Sequence, residues 1–328
     1  MRSILMSHCR RPLLAAVLSV SAFAVQATET VNFGVQPATQ PIYVARSAGL
    51  LDPIEAKYDV KIEFHSFSYG APENQAMAAG DLDLASAGMG PAIVAAARLP
   101  AKLLGISILE QTAIIVPTGS PITAVTQLKG KRIAYPGQGS QQYPLLLKAL
   151  KEAGLSEDDV ELFKTKGSDV ATLVESGGVD AGITWDPHVS RALASGKAKV
   201  LIKAEAILPL KSGHYIGNGV YGRTEFIDAN PALVEDIMLA IIKAERLILA
   251  DPGKAVGMWS EQIGFPPEVI DYALKEGISV YDEDVAATPE MIEKYVAFLK
   301  EAGILKPDDN PKLAPEFAQR ALKRAQAE

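Results

Sequence analysis

Cysteine is all but absent from these 328 residues: Cys9 is the only one. No intrachain disulfide is available, so the fold must rest on an ordinary hydrophobic core. Histidine is scarce too, with four in all, and the carboxylates do not cluster, so the sequence shows no metal-ligand pattern. Basic residues are outnumbered, 32 against 39 acidic, for a net charge of −7. A negative surface offers no counter-charge to nucleic acid or to anionic membranes, which argues against both. It leaves room for a small anionic ligand, because a pocket's local field can oppose the overall charge. No stretch at the start is long enough to span a membrane either: Leu13 to Ala24 gives about 12 apolar residues, too few to cross hydrocarbon.

What is present begins with that stretch. Arg2, Arg10 and Arg11 precede it, and Val25-Gln26-Ala27 follows with small residues at the two positions a signal peptidase reads. Residues 1–27 therefore read as a secretory signal peptide cut after Ala27, with Cys9 badly placed for lipid attachment. The mature chain is expected to be cysteine-free, soluble and exported, where no ATP, NAD or reducing pool is at hand. Losing the three basic residues of the leader takes the net charge from −7 to −10. The roughly 300 residues that remain suffice for two domains.

Short apolar strands alternate with helical stretches, the pattern of layered α/β domains with mainly parallel sheets. Strands are expected at 31–35, 61–64, 82–87, 102–108 and 113–116, with helices at 42–51, 73–79 and 92–97. Pro117-Thr118-Gly119-Ser120-Pro121 then marks a first crossover between two blocks. The second block carries strands at 132–135, 160–163, 181–184 and 200–202 and helices at 143–153, 170–175 and 189–194. The Gly-rich passage from Gly213 to Gly222 marks the return. One lobe is thus expected from 28–117 together with 218–328, the other from 118–217. From Asn230 onward the chain reads as helical, with Asn230-Pro231, Asp251-Pro252 and Thr288-Pro289 as cap-then-proline starts. The charged tail from Pro307 is expected at the periphery.

Two loops place small residues between a strand and a helix: Gly88-Met89-Gly90-Pro91, and Gly137-Gln138-Gly139-Ser140-Gln141-Gln142. Unshielded backbone N–H groups at a helix start can surround an anion without a basic residue. Each loop alone is equally readable as an ordinary tight turn. One in each lobe, at the carboxyl ends of strands, points to a shared cleft. Trp185-Asp186-Pro187 follows a strand; Asp186 caps the next helix or faces the cleft as an acceptor, and Trp185 packs in the core or covers an aliphatic chain. Tyr69 and Gly70 lie in a further strand-to-helix loop, and Gln36 and Gln40 follow the first strand; these supply donors and a ring wall, or merely cap and pack. Gly217-Asn218-Gly219-Val220-Tyr221-Gly222 matches a dinucleotide fingerprint in letters but does not open a helix, so it is rejected. No G-x-S-x-G elbow occurs, and His65, His188 and His214 are not placed beside a nucleophile by spacing, which leaves an exported hydrolase as a competing class without a motif.

In these fragments the chain resembles the periplasmic solute-binding proteins of ABC importers, in the sulfonate, taurine and nitrate group. The resemblance is carried by Gly34-Val35-Gln36-Pro37, Ala79-Gly80-Asp81-Leu82-Asp83, Leu128-Lys129-Gly130-Lys131-Arg132-Ile133-Ala134 with Gly139-Ser140, Leu145–Leu150, and Val179-Asp180-Ala181 to Trp185-Asp186-Pro187. It implies a two-lobed periplasmic-binding-protein-like fold of type II, a monomer in the periplasm without cofactor or metal, and hinge closure over a solute delivered to a membrane permease. Carried over, anion contacts fall on Gly88, Met89, Gly90, Pro91, Ser140 and Gln141, and selectivity contacts on Tyr69, Gly70, Trp185 and Asp186. The chain departs in Gln141-Gln142-Tyr143, where many sulfonate binders carry small hydroxyl residues and histidine. The implied ligand is a small organic anion, an alkanesulfonate or taurine-like compound; the alternative is a heterocyclic or aromatic acid, as in the pyrimidine-precursor branch, whose cysteine cluster is missing here.

Overall fold

The computed structural model describes residues 29–328; the expected signal peptide lies outside them. The first lobe opens with β1 (Glu29–Val35), α1 (Pro41–Ser47), α2 (Asp52–Tyr58), β2 (Val60–Ser66), α3 (Gly70–Ala79), β3 (Leu84–Gly88), α4 (Met89–Arg98) and β4 (Ala101–Glu110). The chain then builds the second lobe from β5 (Thr112–Pro117), β6 (Arg132–Tyr135), α5 (Gln142–Glu152), β7 (Glu161–Lys164), α6 (Gly167–Glu175), β8 (Ala181–Trp185), α7 (His188–Ala194), β9 (Ala198–Lys203) and α8 (Ala204–Ile207). It returns through β10 (Ile216–Arg223), α9 (Thr224–Ala229), α10 (Pro231–Ala250), α11 (Pro252–Ile263), α12 (Pro267–Lys275), β11 (Ser279–Val280), α13 (Pro289–Glu301) and α14 (Glu316–Ala327). Among the described residues, no helix is long and apolar enough to cross a membrane.

Each lobe is a sheet between helices, in the orders β11-β4-β10-β3-β1-β2 and β7-β6-β8-β5-β9. Strands covered on both faces need apolar residues at nearly every position, which is why β3 and β4 are buried almost throughout. The sheets are mixed, not mainly parallel. The βαβ units pair parallel (β1 with β2 and β3, β6 with β7 and β8), whereas β10 runs antiparallel to β3 and β4, and β5 to β8 and β9. A strand that has just crossed from the other lobe arrives without a crossover helix, so it enters reversed.

This topology moves the first crossing. The strand at 112–117 pairs in the second sheet, so the chain changes lobes between Glu110 and Thr112, not at Pro117–Pro121. Two hydrophobic strands in direct succession hide the boundary, because no turn residue separates them. The return passes through residues 208–215, and β10 is then squeezed between β3 and β4. There the glycines of the rejected fingerprint serve packing: a Cβ at Gly219 would fall 2.8 Å from Met89 Sδ, and one at Gly222 2.4 Å from Leu84 Cδ2.

Other expectations shift as well. The helix expected at 42–51 stops at Ser47, ahead of Gly49 with its φ of 69°, and the separate helix α2 begins only at Asp52. Asp251 and Thr288 cap as expected, accepting from Lys254 N at 3.1 Å and Met291 N at 3.3 Å. Asn230 does not; its Nδ2 donates back to Phe226 O at 3.2 Å. The tail is not peripheral. Lys312 O accepts from Leu103 N, Ala314 N donates to Leu103 O, and α14 buries Phe317, Ala318, Ala321 and Ala325. Small residues on one face let this charged helix lie close over β4, near Gly105, while its lysines and arginines stay in water.

Candidate functional site

The two small-residue loops do meet. The β3–α4 loop of the first lobe and the β6–α5 loop of the second face each other across a narrow cavity of about 10 Å3, lined by Gln36, Tyr69, Gly70, Gly88, Pro91, Gln111, Ser140, Gln141, Gln142, Trp185 and Asn218. None of these carries a formal charge. In this closed arrangement the side chains fill the gap, leaving room for about one water molecule.

Gln141 spans the gap. Its Oε1 accepts from Gly90 N at 3.3 Å in the opposite lobe and from the Tyr295 hydroxyl of α13 at 3.3 Å. The N–H expected to meet an external anion therefore already has a protein acceptor. Because Gly90 N can only donate, the carboxamide must present its oxygen there, and Gln141 Nε2 is left buried without a partner. Trp185, buried to 4% exposure, likewise has a partnerless Nε1, its ring set edge-on against His188 at 5.4 Å. Gln111 and Asn218, one from each crossover, bond to each other through their carboxamides. Whichever way round that pair is set, it leaves one donor and one acceptor free.

The other expected residues divide. Gln36, Tyr69, Gly70, Gly88, Pro91, Ser140, Gln141 and Trp185 line the cavity; Gly139 and Gly90 line the adjoining groove between lobes. Three do not reach it. Met89 is wholly buried under Gly219. Gln40 turns inward, donating to Ser86 O at 2.9 Å while its own carbonyl accepts from Trp259 Nε1 at 2.8 Å. Asp186 is buried behind the wall, where its Oδ1 accepts from the Ser190 amide and hydroxyl. Its Oδ2 is buried without a partner, and the residue at the N-cap of α7 is Pro187. Ser140 lines the cavity but spends its proton on Gly137 O at 2.7 Å. No histidine is among its hydrogen-bond partners, so the described residues assemble no serine nucleophile there.

Sequence reading missed Gln111 and Asn218 as cavity residues and placed Gln142 in the cleft loop without singling it out as a contact. A polar residue between two apolar strands, and an asparagine among glycines of a buried strand, were the available signals. Gln142 is held by Thr112, its Nε2 donating to Oγ1 at 3.1 Å.

Two buried acids stand behind this wall. Gln36 Nε2 donates to Glu73 Oε2 at 2.6 Å, yet burial pushes the Glu73 carboxyl up to about 8. Burial likewise lifts Asp186 to about 7, against opposing hydrogen bonds from Ser190 and Ser279. Both stay protonated in the folded state above the pH at which the unfolded chain ionises, so the native form binds more protons and stability falls as pH rises from about 5 to 8. Glu73→Gln keeps an acceptor for Gln36 and removes one of these titrations. Melting temperatures taken at pH 5 and pH 8 are expected to converge in this variant relative to the unsubstituted protein; an unchanged difference would assign the loss to other groups.

A sequence pattern described as NMT1/THI5 like matches residues 36–255. A protein of Escherichia coli (strain K12) named for binding aliphatic sulfonates is 31% identical over 264 residues, covering 78% of this chain and 80% of its own. The taurine-binding periplasmic protein of the same strain is 27% identical over 260 residues, covering 75% of each chain. Among solved structures, the alkanesulfonate-binding protein SsuA of Xanthomonas axonopodis pv. citri, bound to MOPS, matches with a TM-score of 0.72 and 22% identity over 89% of this chain and 97% of that one. The periplasmic nitrate-binding protein NrtA of Synechocystis PCC 6803 matches with a TM-score of 0.72 at 12% identity, over 92% and 90%. These likenesses agree with the two-lobed periplasmic-binding-protein-like architecture.

Proposed function

The chain belongs to the NMT1/THI5-like family, and on that premise we propose that it is the extracytoplasmic solute-binding component of an ABC importer that captures a small organic oxyanion, an alkanesulfonate in the first place. It binds and releases without turnover. The observation that supports this most is the set of buried side-chain donors without partners, Gln141 Nε2 and Trp185 Nε1 with the spare donor of the Gln111–Asn218 pair, in a cavity that also touches both lobes. A sulfonate is a weak base that stays ionised throughout the physiological range. Its three oxygens can accept from neutral donors, and a buried neutral donor finds in it the bond that folding withheld.

The same geometry speaks for a plain alkyl tail over taurine. Asp186, expected as the partner of an amine, lies outside the cavity wall, and Glu73 is protonated and turned to Gln36. An ammonium would enter without a counter-charge, while Tyr69 and Trp185 offer it only ring surface. Closure of the lobes about the two crossovers then removes water from the head group, which strengthens each hydrogen bond. The loaded form is handed to the permease.

A second reading has one observation in its favour. The Gln111–Asn218 pair also leaves an acceptor free, which suits a planar heterocycle with a ring N–H between Tyr69 and Trp185. A thermal-shift series separates the readings, since a solute at 100 times its Kd stabilises the folded form by about 2.7 kcal/mol. Short alkanesulfonates are expected to raise the melting temperature more than taurine, nitrate, carboxylates or pyrimidines. Stabilisation by pyrimidines alone would replace the first reading with the second.

A further inference from the structure

Where the chain leaves and re-enters the first lobe, three potential metal ligands from distant parts of the sequence converge. Glu110 ends β4 at the first crossing, Glu205 lies in α8, and His214 sits in the returning segment. One ligand atom from each lies within 4.8 Å of the others. We propose that Glu110, Glu205 and His214 form a binding site for one divalent transition-metal ion of the zinc class, which ties the two crossovers together.

The distances fit that ion. His214 Nδ1 is 3.2 Å from Glu205 Oε2 and 3.7 Å from Glu110 Oε1. Tetrahedral zinc with bonds of roughly 2.0–2.2 Å spaces its ligand atoms about 3.3–3.6 Å apart, so both edges that meet at His214 are within a few tenths of an ångström of that spacing, and the Glu110–Glu205 edge, within 4.8 Å, closes by rotation of the partly exposed Glu205 side chain. One imidazole with two carboxylates is a donor set that zinc accepts, the fourth position falling to water.

The surroundings are also those of a prepared site. Glu110 is buried and its Oε1 accepts from Tyr215 N at 2.6 Å, which fixes the carboxylate as outer-sphere hydrogen bonds fix metal ligands elsewhere. His214 and Glu205 have side chains 34% and 35% exposed, which gives the ion a way in. Among the described residues His214 is the basic group within ion-pair distance of either carboxylate, and the Lys203 charge reaches Glu110 only from farther off. The neighbouring lysines are engaged elsewhere, Lys203 on Glu276 O and Gly277 O, and Lys211 on Asp282 and Asp284. Glu110 adjoins Gln111, a cavity residue, so an ion here acts next to the solute site without entering it.

The test uses the mature protein stripped with chelator and titrated with zinc chloride, against a colorimetric chelator as competitor and by calorimetry. One zinc ion per chain is expected, with His214→Ala and Glu205→Gln each weakening binding by at least 10-fold, and with a raised melting temperature for the zinc form of the unsubstituted protein only. Cobalt(II) should show the intense visible bands of a tetrahedral ion, lost in both variants. His65→Ala, elsewhere in the first lobe, should bind as before. Absence of stoichiometric binding, or affinity in His214→Ala and Glu205→Gln equal to that of the unsubstituted protein, would overturn the site and leave a plain histidine–carboxylate contact. The readout involves no solute, so it stands or falls apart from the transport reading.

Discussion

Gly139→Leu is expected to abolish solute capture while each lobe stays folded. Gly139 belongs to the β6–α5 loop of the second lobe, and a Cβ built there would lie 2.4 Å from Ala71 Cβ in the first lobe. That is nearer than real Cβ contacts come. Both atoms sit at the roots of short side chains, one on the start of α3, so no rotamer change relieves the clash. The backbone at Gly139 does not need the left-handed region, so the substitution introduces no local strain. The relief left is separation of the lobes, which withdraws Gln141 and Trp185 from Gly88 and Gly90. Solute affinity should fall by about 100-fold or more, equivalent to about 2.7 kcal/mol or more. Circular dichroism should be unchanged, and small-angle scattering with solute should keep the dimensions of the solute-free protein. Retained affinity would mean that binding does not require this approach of the two loops.

Gln141→Ala carries the next largest effect. The side chain presents Nε2 to the cavity and Oε1 to the α4 amide and to Tyr295. Truncation removes a donor to the oxyanion and strips Gly90 N of its acceptor across the gap. A hydrogen bond to a charged group contributes about 1.5–3 kcal/mol, so affinity for the preferred sulfonate should drop by about 10- to 100-fold. The space gained beside Gly88 should at the same time reduce discrimination against bulkier head groups. Calorimetry with a short and a bulky sulfonate decides it: an equal loss for both would make Gln141 a bridge between lobes and not a gauge of ligand size.

Much of this was legible before any coordinates. Strand-then-helix alternation located β1, β3, β6 and β8, and glycine between strand and helix located both cavity loops, because those signals are local. What depended on long-range pairing was not. Glu110-Gln111-Thr112 interrupts the apolar stretch Ile106–Val116 without a turn residue, so it does not say which sheet each half joins; only the partners of β5 reveal it. Gln141 was visible as a departure from sulfonate binders, but its hydrogen bond to Gly90 needs both lobes in place. Asp186 was readable as a cap or as a cleft acid; its Oδ1 holds Ser190 in the first turn of α7 while its Oδ2 stays unpartnered. The Glu110, Glu205 and His214 cluster escaped for the same reason as the crossover: its members are neighbours only after the chain has travelled through the whole second lobe.

The uncharged lining of the cavity has an effect on the surrounding medium's influence. A pocket baited with lysine or arginine loses pull as salt accumulates, because ions screen the attraction. Here the long-range field felt by an approaching anion is that of a chain carrying −7, and it is repulsive. Added electrolyte therefore weakens an obstacle, so encounter with a sulfonate should quicken in brine, the reverse of what a cationic trap would do.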